Sequence, residues 1–534
     1  MKAFHSYGPV DHDAHYCVNR TELIEQCVQQ LLGEKPEKGG HYFTIWAPRQ
    51  TGKTWLIQQS IKKIQKQCGD KYIIGNLSMQ GLKFDDDDPA DEFLIEIPGI
   101  ISQKFRIEID PLKRWTDFQN LFNKEKGIFD KPLILLIDEF DKLPKHFIDA
   151  IVNTFRDIYL YRNDYMLHGL ALVGVRAVLG VDSKQGSPFN VQRSLNVPNL
   201  SFDETLEMFN QYQEESGQKI EKGVIENLYE LTNGQPGLIG WLGELLTDTY
   251  KYNPGYETTI DIPIWNRVKR KALFKEPNNT LINLIAKARD LEYSGFVIDL
   301  FSNSHITFSF HDPTQNYLYM NGIIDAHETE DGELVRFSSP FVQRCLFHAL
   351  GRDALKQARL DIHNIKLLAI PPLDTLDDVF SGQELNLPPL LNRYIDYLAR
   401  LKEKGITPWK DQPRRQSDFH YTEAVGHFHL YHWLQMALGR RCSIIPEFPT
   451  GNGKVDLHLI CGEKKGLIEV KSFTNAYDAR EARKQAAKYA KKTKHTDVTV
   501  AMFAPFSDED ILQQMSVKEK IHGVDVTVVA IGQD

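Results

Sequence analysis

Two short, mainly apolar runs in the first third of the chain each end in polar residues. Phe43–Trp46 leads through a turn into a helix-like stretch, and Leu133–Ile137 ends in the acids of the sequence DEFD. Apolar runs of this length between turn residues predict strands that are buried on both faces, as in a parallel sheet. Alternation of such strands with amphipathic segments such as Thr21–Leu32 predicts an α/β fold.

The turn after the first run has the residue types of a phosphate-binding loop. It comprises Ala47, Pro48, Arg49, Gln50, Thr51, Gly52, Lys53 and Thr54. Backbone N–H groups of such a turn and of the following helix N-terminus bind phosphate. We expect Lys53 to contact the terminal phosphates of ATP and the Thr54 hydroxyl to hold Mg²⁺. Ala47 stands where the usual pattern has Gly, which leaves the rate of hydrolysis open but does not argue against binding.

The acids after the second run complete this chemistry. Asp138 is predicted to hold Mg²⁺ through water, and Glu139 to orient and deprotonate the attacking water. The pair of motifs therefore predicts an ATPase.

Further motifs follow in a fixed order, namely SPFNV, LNVPNLSFDE and NGQPGL. With the first two motifs they resemble the AAA-like, STAND-type branch of P-loop NTPases over roughly residues 7–250. The resemblance implies one strand between the Lys53 and Asp138 strands, a homo-oligomer formed through this domain, and Arg176 as a sensor at a strand end. It also implies that Gly234–Pro236 ties the nucleotide state to the next domain. Arg193 is either a trans-acting finger or a surface ion-pair residue.

The middle of the chain has helical patterns followed by a two-stranded hairpin. Residues 251–350 are thus predicted to form a winged-helix domain. Since we find no basic recognition helix there, we interpret it as an intramolecular lid on the ATPase. Residues 351–416 are predicted to be a helical connector.

The last part of the chain, residues 417–534, reads as a helix, three strands, a long helix and further strands. Asp456 and Glu469 fall on adjacent strands of a hairpin, and strand alternation places Glu469 and Lys471 on one face. Two carboxylates and an ammonium group on one face can hold Mg²⁺ and offset charge on a phosphate undergoing attack.

This order of elements and residues resembles the PD-(D/E)XK nuclease core. The resemblance implies that Asp456 and Glu469 are metal ligands and catalytic residues, with Lys471 catalytic and Glu423 an additional helical acid at the metal. It also matches Gln485 and Tyr489 to the QxxxY helix of several branches, which implies that Gln485 is catalytic, and it allows Mn²⁺ in place of Mg²⁺. Val455 stands where the family's Pro would precede Asp456. A non-catalytic copy of this core, or a plain hairpin with solvated charges, remains an alternative.

The long helix has a basic stripe next to the Gln485 side. It consists of Arg480, Lys484, Lys488, Lys491 and Lys492. Such a stripe beside a metal site predicts contact with the DNA backbone without base specificity. His427, His429 and His432 on the first helix of this region are expected to be ordinary core or surface histidines and not metal ligands.

Composition limits the class of protein. The formal net charge is −9, so the whole chain is not a general polyanion binder. The charge is uneven, however, because residues 401–534 hold 20 Lys and Arg against 17 Asp and Glu. The six Cys include no CxxC pair and are predicted to be reduced thiols. No signal peptide or membrane span is evident, so a soluble cytoplasmic protein is expected.

These patterns predict four domains: an AAA-like NTPase (1–250), a winged-helix domain (251–350), a helical connector (351–416) and a restriction-endonuclease-like α/β domain (417–534). The predicted function is ATP-controlled, Mg²⁺-dependent cleavage of DNA in prokaryotic defence against phage or plasmids, a role inferred from architecture alone. The alternatives are a regulatory NTPase whose last domain only binds DNA, a DNA-repair ATPase–nuclease, and a signalling scaffold with no enzymatic output.

Overall fold

The computed structural model describes residues 1–174, 194–250, 259–301, 306–329, 332–357, 369–382, 384–406, 408–409, 423–447, 456–493 and 495–533. The chain forms two compact units, Met1–Glu276 and Pro277–Asp534. The finer division into four domains stays a prediction.

The first unit is a doubly wound α/β domain followed by a group of helices. Its elements are α1 Thr21–Leu32, β1 Tyr42–Trp46, α2 Lys53–Cys68, β2 Ile73–Ser78, α3 Glu92–Phe105, α4 Trp115–Asn120, β3 Leu133–Asp138, α5 Lys145–Leu160, β4 Leu167–Gly174, β5 Ser194–Asn196, α6 Phe202–Ser216, β6 Lys219–Ile220, α7 Lys222–Thr232, α8 Pro236–Glu244, β7 Thr259–Ile260 and α9 Ile262–Phe274.

The sheet of this unit has the strand order β2-β3-β4-β1-β5, and all its pairings are parallel. β4 thus lies between β1 and β3, as the family resemblance implies for the strands that lead to Lys53 and Asp138. This order brings the carboxyl ends of β1 and β3 to one edge of the sheet, where their polar residues meet.

Strand β3 is apolar up to its last residue because helices cover both faces of the sheet. Leu133, Leu135 and Ile137 pack in the cluster that includes α3, α4 and α5. Ile134 and Leu136 alternate to the other face and pack with α1 and α2. Asp138 is the first residue of the run that can reach a polar environment.

The second unit contains a helical group, a hairpin and a mixed sheet. Its elements are α10 Asn279–Ala288, α11 Leu291–Leu300, α12 Pro313–Met320, β8 Ile324–Thr329, β9 Gly332–Phe337, α13 Pro340–Gln357, α14 Leu387–Glu403, α15 Glu423–Leu438, β10 Ser443–Glu447, β11 Asp456–Cys461, β12 Lys464–Ser472, α16 Ala476–Lys492, β13 Asp497–Ala504, α17 Glu509–Met515, β14 Lys518–Ile521 and β15 Val524–Gly532. Strands β8 and β9 form the predicted antiparallel hairpin; its identification as the wing of a winged helix stays a prediction.

The six-stranded sheet has the order β10-β11-β12-β13-β15-β14. The pairs β10/β11, β11/β12 and β14/β15 are antiparallel, whereas β12/β13 and β13/β15 are parallel. α16 packs its alanines (Ala486, Ala487 and Ala490) on β12, β13 and β15. α14 also contacts β12, β13 and β15, so the region predicted as a connector supplies a helix that packs on this sheet.

Three local features of this unit are known only from the structure. The turn between β11 and β12 is short, since Cys461 already pairs with Lys464. β14 is an additional edge strand. α15 is buried on more than one side, because His427 and His429 are also buried between α13 and α14: Phe347 of α13 packs its ring against His427, and Tyr394 of α14 hydrogen-bonds to His429.

A disulfide joins Cys442 and Cys461, so the prediction of six reduced thiols is wrong for this pair. Antiparallel pairing of Ser443 with Ile460 places the two cysteines next to each other, with their Cα atoms 4.2 Å apart. Residues 19 positions apart become neighbours only through strand pairing. Cys17, Cys27, Cys68 and Cys345 are free.

Among the helices in the described part of the chain, none is long and apolar enough to cross a membrane.

Candidate functional site

The loop between β1 and α2 is closed by its own side chains. Thr51 Oγ1 donates a hydrogen bond to the Pro48 carbonyl (2.9 Å), and Lys53 Nζ donates to the carbonyls of Ala47 (2.7 Å) and Pro48 (2.8 Å). Gly52 has φ of 95°, a left-handed conformation that favours glycine. α2 begins at Lys53, so its free N–H groups and the positive end of its dipole adjoin the loop. This geometry suits a bound phosphate.

The end of β3 contacts the start of α2 directly. Thr54 Oγ1 donates to Asp138 Oδ2 at 3.0 Å, and the backbone N–H of Glu139 donates to Asp138 Oδ1 at 2.9 Å. The contact places a hydroxyl and a carboxylate side by side at the start of α2, and oxygen groups of this kind are the ligands that Mg²⁺ prefers.

Burial sets the ionisation of this site. It lowers the pKa of the Lys53 ammonium to about 8, although Asp141, Asp138 and Glu139 raise it. Burial also raises the pKa of Asp138, opposed by the hydrogen bonds from Glu139 N–H and Thr54. Both shifts follow from charged groups leaving water, and both would be reduced by a ligand of opposite charge.

Glu139 has a special backbone conformation and an ionic partner. Its φ is 57°, in the left-handed region that non-glycine residues seldom adopt. Its Oε2 lies 3.2 Å from Lys142 Nζ, and its side chain is 42% exposed. The Glu139 carboxylate is thus accessible to solvent, and it forms an ion pair with Lys142.

Asp141 is a residue of this site to which the sequence analysis gave no role. It is the first of the acids that raise the pKa of Lys53. A Cβ atom at Gly174, the last residue of β4, would lie 2.4 Å from Asp141 Oδ1, so Gly174 makes room for this carboxylate. The sequence feature that could have indicated a role for Asp141 is its position as the third acid of the sequence DEFD.

The predicted Gly234–Pro236 motif contacts the loop. Gln235 Nε2 donates to the Arg49 carbonyl and Gly237 N to the Gln50 carbonyl, both at 3.1 Å. Gln50 Nε2 in turn donates to the Ser6 carbonyl at 2.9 Å, a contact that the sequence analysis did not foresee. Helix α8 and the N-terminal segment thus hold the phosphate-binding loop from outside. Arg176 and Arg193 lie outside the described residues.

A second polar cluster lies in the C-terminal sheet. Lys471 Nζ is 3.2 Å from Glu423 Oε1 and 3.3 Å from Glu469 Oε1. The backbone N–H of Ser472 donates to Glu423 Oε2 at 3.3 Å. Asp456 and Glu469 lie on adjacent strands, as predicted, and the structure makes them Cα partners across the β11/β12 pair; the Asp456 side chain lies outside those described. The structure therefore brings Glu423, Glu469 and Lys471 together.

This cluster is buried. Glu469 is 2% exposed and Lys471 9% exposed. Burial, together with the nearby Lys471 charge, lowers the pKa of His427 well below its usual value, so His427 is neutral at pH 7. No group of three or more His, Cys, Asp or Glu side chains poised to hold a metal is found among the described residues.

The long helix α16 places its cations outward. All members of the predicted stripe are exposed: Arg480, Lys484, Lys488, Lys491 and Lys492. Gln485 is exposed on the same helix, while Tyr489 is half-buried with its ring 6.2 Å from that of His458.

The parallel sheet, the loop and the Thr54–Asp138 contact define a P-loop NTPase domain. Residues 5–248 match the family model described as AAA-like domain, so the chain contains an AAA-like P-loop NTPase domain. Residues 415–507 match a domain of unknown function (DUF8371).

Several solved structures are similar to part of this chain. A Walker-type ATPase of Pyrococcus abyssi is 15% identical, with 64% of this chain and 99% of that chain covered and a TM-score of 0.43. The Aeropyrum pernix ORC1 protein in complex with DNA is 14% identical, with coverage of 64% and 94% and a TM-score of 0.32. The RuvB Holliday junction branch migration motor of Thermotoga maritima is 14% identical, with coverage of 59% and 92% and a TM-score of 0.32. At these TM-scores the similarity carries no argument about function. No curated protein matches the chain.

We expect ATP affinity to depend on the charge of Lys53. Its pKa of about 8 in the free protein should rise when phosphates bind, because they favour the ammonium form. Above about pH 8 the dissociation constant of a fluorescent ATP analogue should therefore increase, by up to about tenfold per pH unit. Lys53→Ala should bind the analogue poorly at every pH. Wild-type affinity in Lys53→Ala would show that this loop does not bind the phosphates of ATP.

Glu139→Gln should bind ATP normally and turn it over at least about 10²-fold more slowly, since an amide is no general base. The measurement is phosphate release alongside analogue binding. Glu125→Gln, an exposed glutamate of the same unit, is the matched control. Normal turnover in Glu139→Gln would show that another group activates the water.

Proposed function

We propose that this protein is an ATP-controlled, Mg²⁺-dependent nuclease that cleaves phosphodiester bonds in DNA. The observation that carries the proposal is the Lys471 ammonium group held between the carboxylates of Glu423 and Glu469. One of the two acids, Glu469, is the Cα partner of Asp456. A buried cation together with nearby acids is the set of groups that phosphodiester cleavage requires.

The residues fit a hard divalent cation. Glu469 Oε1 is buried and makes no hydrogen bond to any described group, although it faces the Lys471 charge. A buried carboxylate oxygen without a hydrogen bond is costly, and a cation would satisfy it. Asp456, Glu469 and Glu423 would hold Mg²⁺, or Mn²⁺ in the same oxygen environment. The ion would supply charge neutralisation and a more acidic water.

Each residue of this proposed site would then have a defined role. Lys471 would offset the charge that develops on the scissile phosphate, and Glu423, which also accepts from Ser472 N–H, would fix the ammonium. The exposed cations of α16 would contact the DNA backbone and position it. Gln485, exposed on the same helix, would lie on the DNA side.

The order of elements supports this proposal. α15, β10, β11, β12, α16 and β13 follow one another as the PD-(D/E)XK resemblance implies. Fusion to an NTPase domain suits control of cleavage by nucleotide, with α8 and the helices that follow it transmitting the state of the loop. Assembly through the NTPase domain, a cytoplasmic location and a role in prokaryotic defence are parts of the same proposal.

One observation favours a second function, a regulatory NTPase whose C-terminal domain only binds DNA. Lys471 is already paired with both carboxylates, so the charges of the cluster are balanced without a metal. A structural ion-pair network also satisfies buried charges.

The nuclease proposal predicts that wild-type protein nicks supercoiled plasmid with Mg²⁺ and that Lys471→Ala is at least about 10²-fold slower, because the transition-state charge loses its partner. Lys465→Ala is the matched control, an exposed lysine of the same strand. Lanes with and without ATP show whether nucleotide activates or restrains cutting.

Equal cutting by Lys471→Ala and wild type would contradict the assignment of Lys471. Absence of Mg²⁺-dependent cutting under every nucleotide condition, with DNA binding intact, would favour the regulatory NTPase.

DNA binding should depend on α16. Lys488→Glu combined with Lys491→Glu should reduce the slope of log K against log salt by about 1.8, roughly 0.9 for each phosphate that the protein no longer neutralises. Lys402→Glu with Lys404→Glu makes the same charge change at exposed positions of the same unit and should leave the slope unchanged. An unaltered slope in the α16 variant would mean that the stripe does not face DNA.

A further inference from the structure

Helix α9 of the first unit has one buried face and one exposed face. Asp261 caps it by accepting from Ile264 N–H at 2.9 Å. Its apolar residues pack toward α7 and α8 and are Ile264, Trp265, Val268 and Ala272. The helix is therefore anchored in the unit by its apolar face, and this packing determines which of its side chains are exposed.

The charges of α9 are all positive. Of its 13 residues, four are Lys or Arg and none is Asp or Glu. Lys269 Nζ lies 5.9 Å from the centre of the Trp265 ring, and Lys271 Nζ lies 3.7 Å from that of Tyr250. Aromatic rings thus accompany these two lysines.

The two arginines behave differently. Arg267 and Arg270 are exposed, and neither forms an ion pair with a carboxylate of the described residues. Other surface lysines of the same unit do have such partners, as Lys63 has Glu25 and Lys222 has Glu226. Like charges three residues apart on a helix repel each other, so this face has a cost in the free protein that a polyanion would remove.

An exposed aromatic ring continues this face. Phe274, four residues after Arg270, is 53% exposed, and the exposed Lys275 follows it. A flat apolar ring among cations suits a ligand with alternating charged and apolar parts, such as the phosphates and sugars of a nucleic acid.

We propose that the α9 face, defined by Arg267, Arg270, Phe274 and Lys275, binds the phosphate backbone of DNA. The guanidinium group binds phosphate in a planar, two-point manner. Side chains three residues apart start about 5–6 Å from each other, within reach of neighbouring phosphates on one strand. The NTPase unit would thus have its own DNA contact, which needs no cleavage and does not rest on the nuclease site.

Sequence patterns indicated no basic recognition helix in residues 251–350, although α9, at Ile262–Phe274, lies in that range and is basic. α12, the helix before the β8–β9 hairpin, indeed contains no Lys or Arg. The basic helix is α9, which belongs to the first unit.

The test measures binding of a short fluorescein-labelled DNA duplex by anisotropy at several NaCl concentrations, with EDTA present so that no metal-dependent cleavage occurs. Arg267→Glu with Arg270→Glu should weaken binding and reduce the slope of log K against log salt by about 1.8. Lys62→Glu with Lys66→Glu, an exposed pair on α2, makes the same charge change and should leave the slope unchanged. Phe274→Ala should weaken binding without altering the slope.

Binding of an ATP analogue by each variant checks folding, and Arg267→Gln with Arg270→Gln replaces the charge reversal if that variant does not fold. A slope unchanged from wild type, or reduced equally by the α2 pair, overturns the proposal. The proposal is also overturned if polyglutamate displaces the labelled duplex as effectively as unlabelled duplex does at equal charge, because the surface would then be one for acidic polypeptides. Failure of plasmid nicking leaves this test unaffected.

Discussion

Burial of strands under helices is the constraint that decides where chemistry can occur in this protein. β3 is covered on both faces, so its charged residues begin only at its last position, Asp138. β12 follows a similar rule, since apolar residues precede Glu469 and Lys471. In both units the polar groups collect where a buried strand runs out, and they meet the polar ends of neighbouring elements there. The Thr54–Asp138 hydrogen bond and the Lys471 ion pairs are the results.

Charges at such positions are stable only as sets. Removal of one partner from a buried ion pair typically costs about 3–5 kcal/mol, because the remaining charge is left without water or counter-ion. Lys471 has two carboxylates near it, and Lys53 has two loop carbonyls and the field of three acids. The same low-polarity surroundings that make these groups costly also make them strong electrostatic partners for phosphate. A lowered pKa of Lys53 and a raised pKa of Asp138 are therefore expected signs of a site that is completed by a charged ligand.

The phosphate-binding loop is held by parts of the chain that are distant in sequence. Gln235, the residue before α8, and Gly237 of α8 donate hydrogen bonds to its carbonyls, and the Ser6 carbonyl accepts from Gln50. α9 packs on α7 and α8, so a change in the loop that shifts α8 would reach the basic face of α9 through packed helices. These contacts connect the phosphate-binding loop to α9 through packed helices of the first unit. An influence of nucleotide on the proposed DNA contact of α9 would follow from this connection without any rearrangement of the sheet.

The sequence by itself determined the strongly patterned features. The apolar runs predicted β1 and β3, the family resemblance implied the strand that lies between them, and the hairpin pattern placed Asp456 and Glu469 on adjacent strands. These predictions succeeded because periodicity and strand-end polarity are local properties of the chain. Tertiary structure decided what depends on neighbours from elsewhere. It made Cys442 and Cys461 partners across two strands, buried α15 between α13, α14 and the sheet, brought Glu423 to Lys471, and placed Asp141 against Gly174. No spacing rule connects such residues, because their proximity arises only when whole elements pack and their buried charges and side chains must find partners there.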